Sequence, residues 1–177
     1  MKFEKRIPGV VLAVLTFGLS ALSPANAGFE EEYEKQAWQE LEHQLPAAPK
    51  KESLLPFYVS AATDNLFFVD SASLAVDADG VIRYVLVVET SDGARNVSFE
   101  GMRCETRERR IYASGRRDGT WSKSRRNEWV PLRDAVANRQ YAALYFDYFC
   151  PSGIIANSAD TVVRALRSGG YPENRRW

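Results

Sequence analysis

The feature that most narrows the fold is a pair of cysteines, Cys104 and Cys150, in a chain whose start reads as an export signal. Lys2, Lys5 and Arg6 precede an uncharged, mostly apolar run over residues 7–22. Ser23-Pro24 breaks that run, and Ala25-Asn26-Ala27 sets small residues where a signal peptidase reads them. The run is shorter than the ~20 apolar residues of a membrane span and is interrupted by Pro8 and Gly9, so the pattern predicts cleavage after Ala27 rather than an anchor. In an oxidising compartment an even cysteine pair reads as a disulfide, and two cysteines allow one intramolecular connectivity. Closing a loop of about 46 residues is worth ~4 kcal/mol in the chain-entropy account, against a total stability of ~5–15 kcal/mol. The pair is far from Cys-x-x-Cys spacing, which points to a structural tether rather than a redox-active couple.

After the leader about 150 residues remain, enough for one domain with its own core. Phe29, Tyr33, Ala37, Trp38, Leu41 and Leu45 recur at three- and four-residue intervals behind an acidic first turn, which predicts an amphipathic helix ended by Pro46. Residues 46–52 read as a linker, so 28–52 forms an N-terminal helix and linker. From Leu55 the period changes to that of strands. "LPFYVS" and "NLFFVD" are short, aromatic and β-branched, with a short helical turn expected from Asp70 to Leu74. Asp79-Gly80 is a tight-turn signal ahead of a strand over 81–90, in which Ile82, Tyr84, Leu86 and Val88 make the core face.

In the next strand Val97 and Phe99 alternate in one phase and Met102 and Cys104 in the other, which predicts a bulge at Gly101. "RRIYASG" reads as a further strand and "RDGTW" as another turn. The period then becomes helical at Tyr141, Leu144, Tyr145, Tyr148 and Phe149, with Asn138 as a candidate cap and Pro151 as the stop. A last helix runs from Ser158, a second candidate cap, to Gly169. These elements predict an α+β domain over 53–170: an antiparallel β-sheet meander with helices packed on one face and one disulfide, followed by a loose tail at 171–177.

Most catalytic chemistries lack their residues here. His43 is the single histidine, and nothing nearby completes a Ser-His or Cys-His pair. A lone histidine and a bridged cysteine pair cannot make a zinc site, and "DADG" at 77–80 reads as a turn rather than a calcium loop. The expectation is therefore no catalytic residue, no metal and no cofactor. The carboxylates that would revive a hydrolase are Asp70, Glu100 and Asp147, of which Glu100 stands out as an acid beside the proposed bulge.

Equal numbers of basic and acidic residues, 23 of each, argue against a dedicated nucleic-acid binder. The bases are unevenly placed, however. Between Arg103 and Arg133 ten bases stand against four acids, and Trp121 and Trp129 flank the densest part, "WSKSRRNEW". Arginine beside tryptophan grips carboxylates, phosphates or sugar rings. Arg116, Arg117, Trp121, Arg125, Arg126 and Trp129 are accordingly the candidate partner-binding residues, with an anionic envelope polymer or an acidic envelope protein as the partner. The alternative is a solvated hairpin that neutralises the acidic N-terminal segment of its own chain.

The strings "LLPFYVS", "FFVDSASL", "GVIRYVLVVETSDGARNVSFEGMRCETRERRIYA", "GRRDGTW" and "YFDYFCP" together resemble the cryptic neisserial protein-like family of exported bacterial proteins, over roughly residues 38–170. The resemblance includes Cys104, Cys150, the run Asn96-Val97-Ser98-Phe99-Glu100-Gly101 and the run Asp118-Gly119-Thr120-Trp121. It implies a Gram-negative envelope setting and brings no activity to transfer. A fainter similarity, in the order of "FFVD", two strands, a cysteine and "DGTW", is to the surface-adhesin protein E family, and shared architecture would not transfer adhesion. The resulting expectation is a periplasmic, non-catalytic binding or envelope-maintenance module. A cell-surface adhesin is the alternative and a carboxylate hydrolase a further one.

Overall fold

A computed structural model describes residues 37–133 and 138–172. The leader, the first part of the expected N-terminal helix and the end of the tail lie outside the described residues. Seven strands form one antiparallel sheet: β1 Leu54–Phe57, β2 Leu66–Val76, β3 Val81–Glu89, β4 Arg95–Arg103, β5 Glu108–Gly115, β6 Trp121–Lys123 and β7 Val130–Pro131. Strands β1 to β6 follow one another in meander order, and β7 shares the outer edge of β5 with β6. The outer strand β1 is short and carries Pro56, a residue that edge strands tolerate because one row of their N–H groups is unpaired. Hairpin turns fall where expected, with Gly80, Gly93 and Gly119 at φ of 78°, 84° and 82°.

Strand β3 is buried from Val81 to Val87, which means that both of its faces are covered. One face, with Val69, Ile82, Tyr84, Leu86, Met102 and Cys104, packs against the helical segment. The other, with Val85, Val87, Phe99 and Tyr112, holds a second, smaller apolar cluster. Strand β4 therefore needs no change of phase. Its pairing with β3 is regular through Gly101, and Val97 and Phe99 face one cluster while Met102 and Cys104 face the other. The expected bulge lies instead on the β5 side, where Phe99 pairs Ala113 and Glu100 pairs Ile111, leaving Tyr112 as the extra residue. Gly101 matters for a different reason. A Cβ there would lie 3.0 Å from two ring carbons of Tyr112 and overlap its hydroxyl.

The helical segment begins with α1, Arg139–Ala143, and widens into a π turn over Leu144–Phe149, closed by Cys150 N–H donating to the Tyr145 carbonyl at 3.0 Å. Leu144, Tyr145, Tyr148, Phe149 and Cys150 all point inward. Asn138 precedes α1 but makes no side-chain cap. Helix α2, Ala159–Ser168, starts with Ser158 Oγ accepting from Thr161 N–H at 3.2 Å and ends at Gly169 with φ 76°, as its sequence predicts. The helical turn expected at Asp70 is a wide bulge inside β2: Asp70 pairs Val85 and Ala75 pairs Arg83, so the residues between them loop out over Tyr84 alone.

The clearest difference from expectation is the segment 37–50, which carries no regular secondary structure where periodicity predicts helix as far as Leu45. It lies as a strap over the second sheet face. The residues read as the buried stripe are exposed, Trp38 at 38%, Leu41 at 48% and Leu45 at 41%. Glu40 and His43 turn toward the sheet instead. Helix-internal hydrogen bonds are exchanged for bonds to the hairpin turn: Trp38 Nε1 donates to the Asp79 carbonyl at 2.7 Å, and Leu41 N–H to Asp79 Oδ2 at 2.9 Å.

Candidate functional site

Glu40 is the anchor of the strap. Its carboxylate accepts from Arg110, from the Tyr112 hydroxyl and from Trp129 Nε1 at 3.1 Å, and it pairs Arg83 at 3.3 Å. Arg83 is 3% exposed and also binds Asp77 at 2.6 Å and Asp79 at 2.7 Å. Burial pushes the Glu40 carboxyl up, but the bonds from Tyr112 and Trp129 and the charges of Arg110 and Arg83 outweigh it, and the group sits below its ordinary value. Asp79 is held low in the same way, burial being overcome by Arg83 and the Leu41 N–H. Both acids of the "DADG" turn thus serve Arg83. His43 packs on the Tyr112 ring with centroids 4.0 Å apart; burial, together with Arg83, lowers its pKa.

The basic segment divides into two sets. Arg103 lies 3.7 Å over the Trp38 ring and pairs Glu108 at 3.3 Å, while Arg107 and Arg109 cover the rings of Tyr145 and Tyr141. Trp121 donates to the Pro46 carbonyl at 2.7 Å and Trp129 to Glu40, so both tryptophans hold the strap. Arg116 and Arg117 sit in the β5–β6 turn, and Arg125 and Arg126 follow β6. All four are exposed, and among the described residues none is in a salt bridge or over a ring. One pair precedes β6 and the other follows it. Asp118 is taken up by the turn, accepting from Thr120 N–H at 2.9 Å and Thr120 Oγ1 at 2.7 Å.

The carboxylates considered for catalysis do not gather. Asp70 shares the strap-side face with its register partner Val85, whereas Glu100 shares the helix-side face with Tyr84. Asp147 lies in the π turn against Gly170. Glu100 is 1% exposed and accepts from Ser98 Oγ at 2.5 Å, Tyr84 at 3.2 Å and Tyr141 at 3.3 Å. Burial pushes its carboxyl above the ordinary value against the pull of Ser98 and Arg109. It borders a cleft of about 410 Å³ that also meets Gln140 and Asn96. Glu100 is thus a single buried acid with Ser98 Oγ beside it, and neither Asp70 nor Asp147 lines its cleft.

Cys104 and Cys150 are bonded, with Cα atoms 5.6 Å apart, and are 2% and 1% exposed. The bridge joins the end of β4 to the end of the π turn, and Tyr145 reinforces it by donating to the Cys104 carbonyl at 3.1 Å. Among the described residues no helix is long and apolar enough to cross a membrane.

What sequence reasoning missed is the Glu40–Arg83 knot. The available signal was Arg83 itself, a base in the apolar run "VIRYVLVV" whose strand neighbours on the same face are valines. A charge on such a face needs partners, and these are Asp77 and Asp79 of the turn together with Glu40 of the strap.

A model of the CNP1-like family matches residues 33–167. Over 189 aligned residues the chain is 25% identical to Cryptic neisserial protein 1 from Neisseria gonorrhoeae (strain ATCC 700825 / FA 1090), covering 92% of this chain and 93% of that protein. No solved structure matches.

Proposed function

Given that the chain belongs to the CNP1-like family, we propose that it is an exported, non-catalytic binding module of the periplasm whose contact surface is the basic edge formed by Arg116, Arg117, Arg125 and Arg126. One observation carries this reading. Arg83, Arg95, Arg103 and Arg110 are spent on carboxylates and Arg107 and Arg109 on aromatic rings, whereas these four guanidiniums are exposed and, among the described residues, in no salt bridge and over no ring, Arg116 only adding its charge near Asp118. Planar guanidinium forks suit carboxylate and phosphate oxygens, so the partner is an anionic envelope polymer or an acidic envelope protein. Trp121 and Trp129, one on each side of Arg125 and Arg126 in the chain, tie this segment to the strap.

The test is crosslinking in living cells of the native host, comparing the wild type with a variant carrying Ala at 116, 117, 125 and 126. The expected result is an anionic partner captured by the wild type and lost from the variant. Identical captures from both would end the proposal.

A further inference from the structure

A second site lies on the strap side of the sheet, away from the helical face. A cleft of about 420 Å³ opens between residues 46–48 of the strap and residues 70–73 of the β2 bulge. Asp70, only 2% exposed, forms part of its wall. The bulge places this side chain, because the loop between the Asp70 and Ala75 pairings lifts β2 off its regular register.

The neighbouring serine donors are committed. Asp70 Oδ2 accepts from Ser73 N–H at 3.0 Å. Ser73 Oγ donates to the Asp70 carbonyl and accepts from Val85 N–H, and Ser71 Oγ donates to the Ser53 carbonyl. Among the described residues Asp70 Oδ1 is buried without a hydrogen-bond partner, and no cation pairs with the carboxylate. A buried carboxylate in that condition is costly and gains from any donor, most of all a charged one.

We propose that this cleft binds a small alkylammonium ligand, with the ammonium N–H groups donating to Asp70 Oδ1 and the alkyl part lying on Pro46, Ala47, Ala48 and Ala72. A neutral hydroxyl would supply a hydrogen bond but leave the charge uncompensated. An anion would meet Asp70 head-on. The volume falls within the range of small-molecule sites, ~300–1,000 Å³, and the small apolar side chains leave room for a short chain. Lys50 and Glu52, of opposite charge, also line the cleft and are exposed, so the selectivity comes from Asp70.

The test uses ¹⁵N-labelled protein titrated at constant ionic strength with n-butylammonium chloride, n-butanol or sodium butyrate. The expected result is saturable shifts at the amides of Ala47, Ala48, Ser71 and Ala72 with the ammonium alone. Asp70→Asn should weaken that binding about ten-fold or more, the loss expected for one charge-assisted hydrogen bond. Ala72→Leu, which fills the cleft while leaving the carboxylate in place, should abolish binding; this variant carries the test if Asp70→Asn does not fold. No saturation by about 100 mM ammonium, corresponding to ~1.4 kcal/mol of binding at most, would overturn the proposal. So would equal binding of n-butanol, or undiminished binding by Asp70→Asn or by Ala72→Leu.

Discussion

Replacing Glu40 by alanine removes the acceptor shared by Arg110, Tyr112, Trp129 and Arg83. A hydrogen bond to a charged acceptor contributes ~1.5–3 kcal/mol, and leaving a buried hydroxyl such as that of Tyr112 without a partner costs ~1–3 kcal/mol. These figures do not add, because the donors share one carboxylate. The Arg110 side chain is 22% exposed and regains water, and Arg83 keeps Asp77 and Asp79, so the net loss is about 2–4 kcal/mol. In urea, with a slope of ~1–3 kcal/mol/M, the midpoint should fall by about 1–2 M at neutral pH with the slope unchanged. Because the folded Glu40 carboxyl lies below 4.5, its stabilisation is present above the unfolded value and is lost as the pH falls through the folded one. The gap between wild type and variant should therefore narrow in acid. A midpoint shift under about 0.3 M at neutral pH would place Glu40 among ordinary surface ion pairs, and a gap of constant size from neutral to acid pH would deny the charge any part in it; either result would refute the strap as an electrostatic closure.

Glu100→Gln should behave with the opposite sign. The folded carboxyl is raised above its unfolded value, so its contribution is full below that value and is lost as the pH rises through the folded one, at a limiting slope of ~1.4 kcal/mol per pH unit. The variant should gain on the wild type with rising pH in urea titrations, and a gain with falling pH would contradict the assignment. Reducing the Cys104–Cys150 bridge, or replacing both cysteines by alanine, should cost about 2–5 kcal/mol and lower the thermal midpoint by roughly 5–20 °C, read by calorimetry. Gly101→Ala should destabilise by ~1–3 kcal/mol, because the new methyl meets a Tyr112 ring that Glu40 holds in place; unchanged stability would show that the ring is free to move.

The legible parts of this fold are those in which local chemistry and tertiary packing agree. Asp79-Gly80 makes its turn, Ser158 and Gly169 bound α2, and the spacing of Tyr141, Leu144, Tyr145, Tyr148 and Phe149 marks a buried helical face although its final turn is π. The pairing of Cys104 with Cys150 is the single intramolecular connectivity that two cysteines allow. The strap was illegible because its helical period is real in the sequence but is outweighed by Arg83 and Arg110, which reach it from strands far along the chain. The same interaction explains the phase puzzle around Gly101: with both faces of β4 covered, two opposite apolar phases coexist in one regular strand. Of the candidate contact residues, exposed arginines are readable from charge density. That Trp121 and Trp129 bind their own strap depends on where residues 40 and 46 come to lie, which no local pattern encodes.

The most direct measurement for the proposed function is the salt dependence of binding to a defined polyanion, such as dextran sulfate, by wild type and by the variant with Ala at 116, 117, 125 and 126. Exposed charges are screened within ~8–10 Å at physiological salt, so the wild-type affinity should fall steeply as salt rises. The variant should bind weakly at every salt concentration, while its urea midpoint matches the wild type. Equal affinity and equal salt slopes for the two proteins would contradict the basic edge as the contact surface.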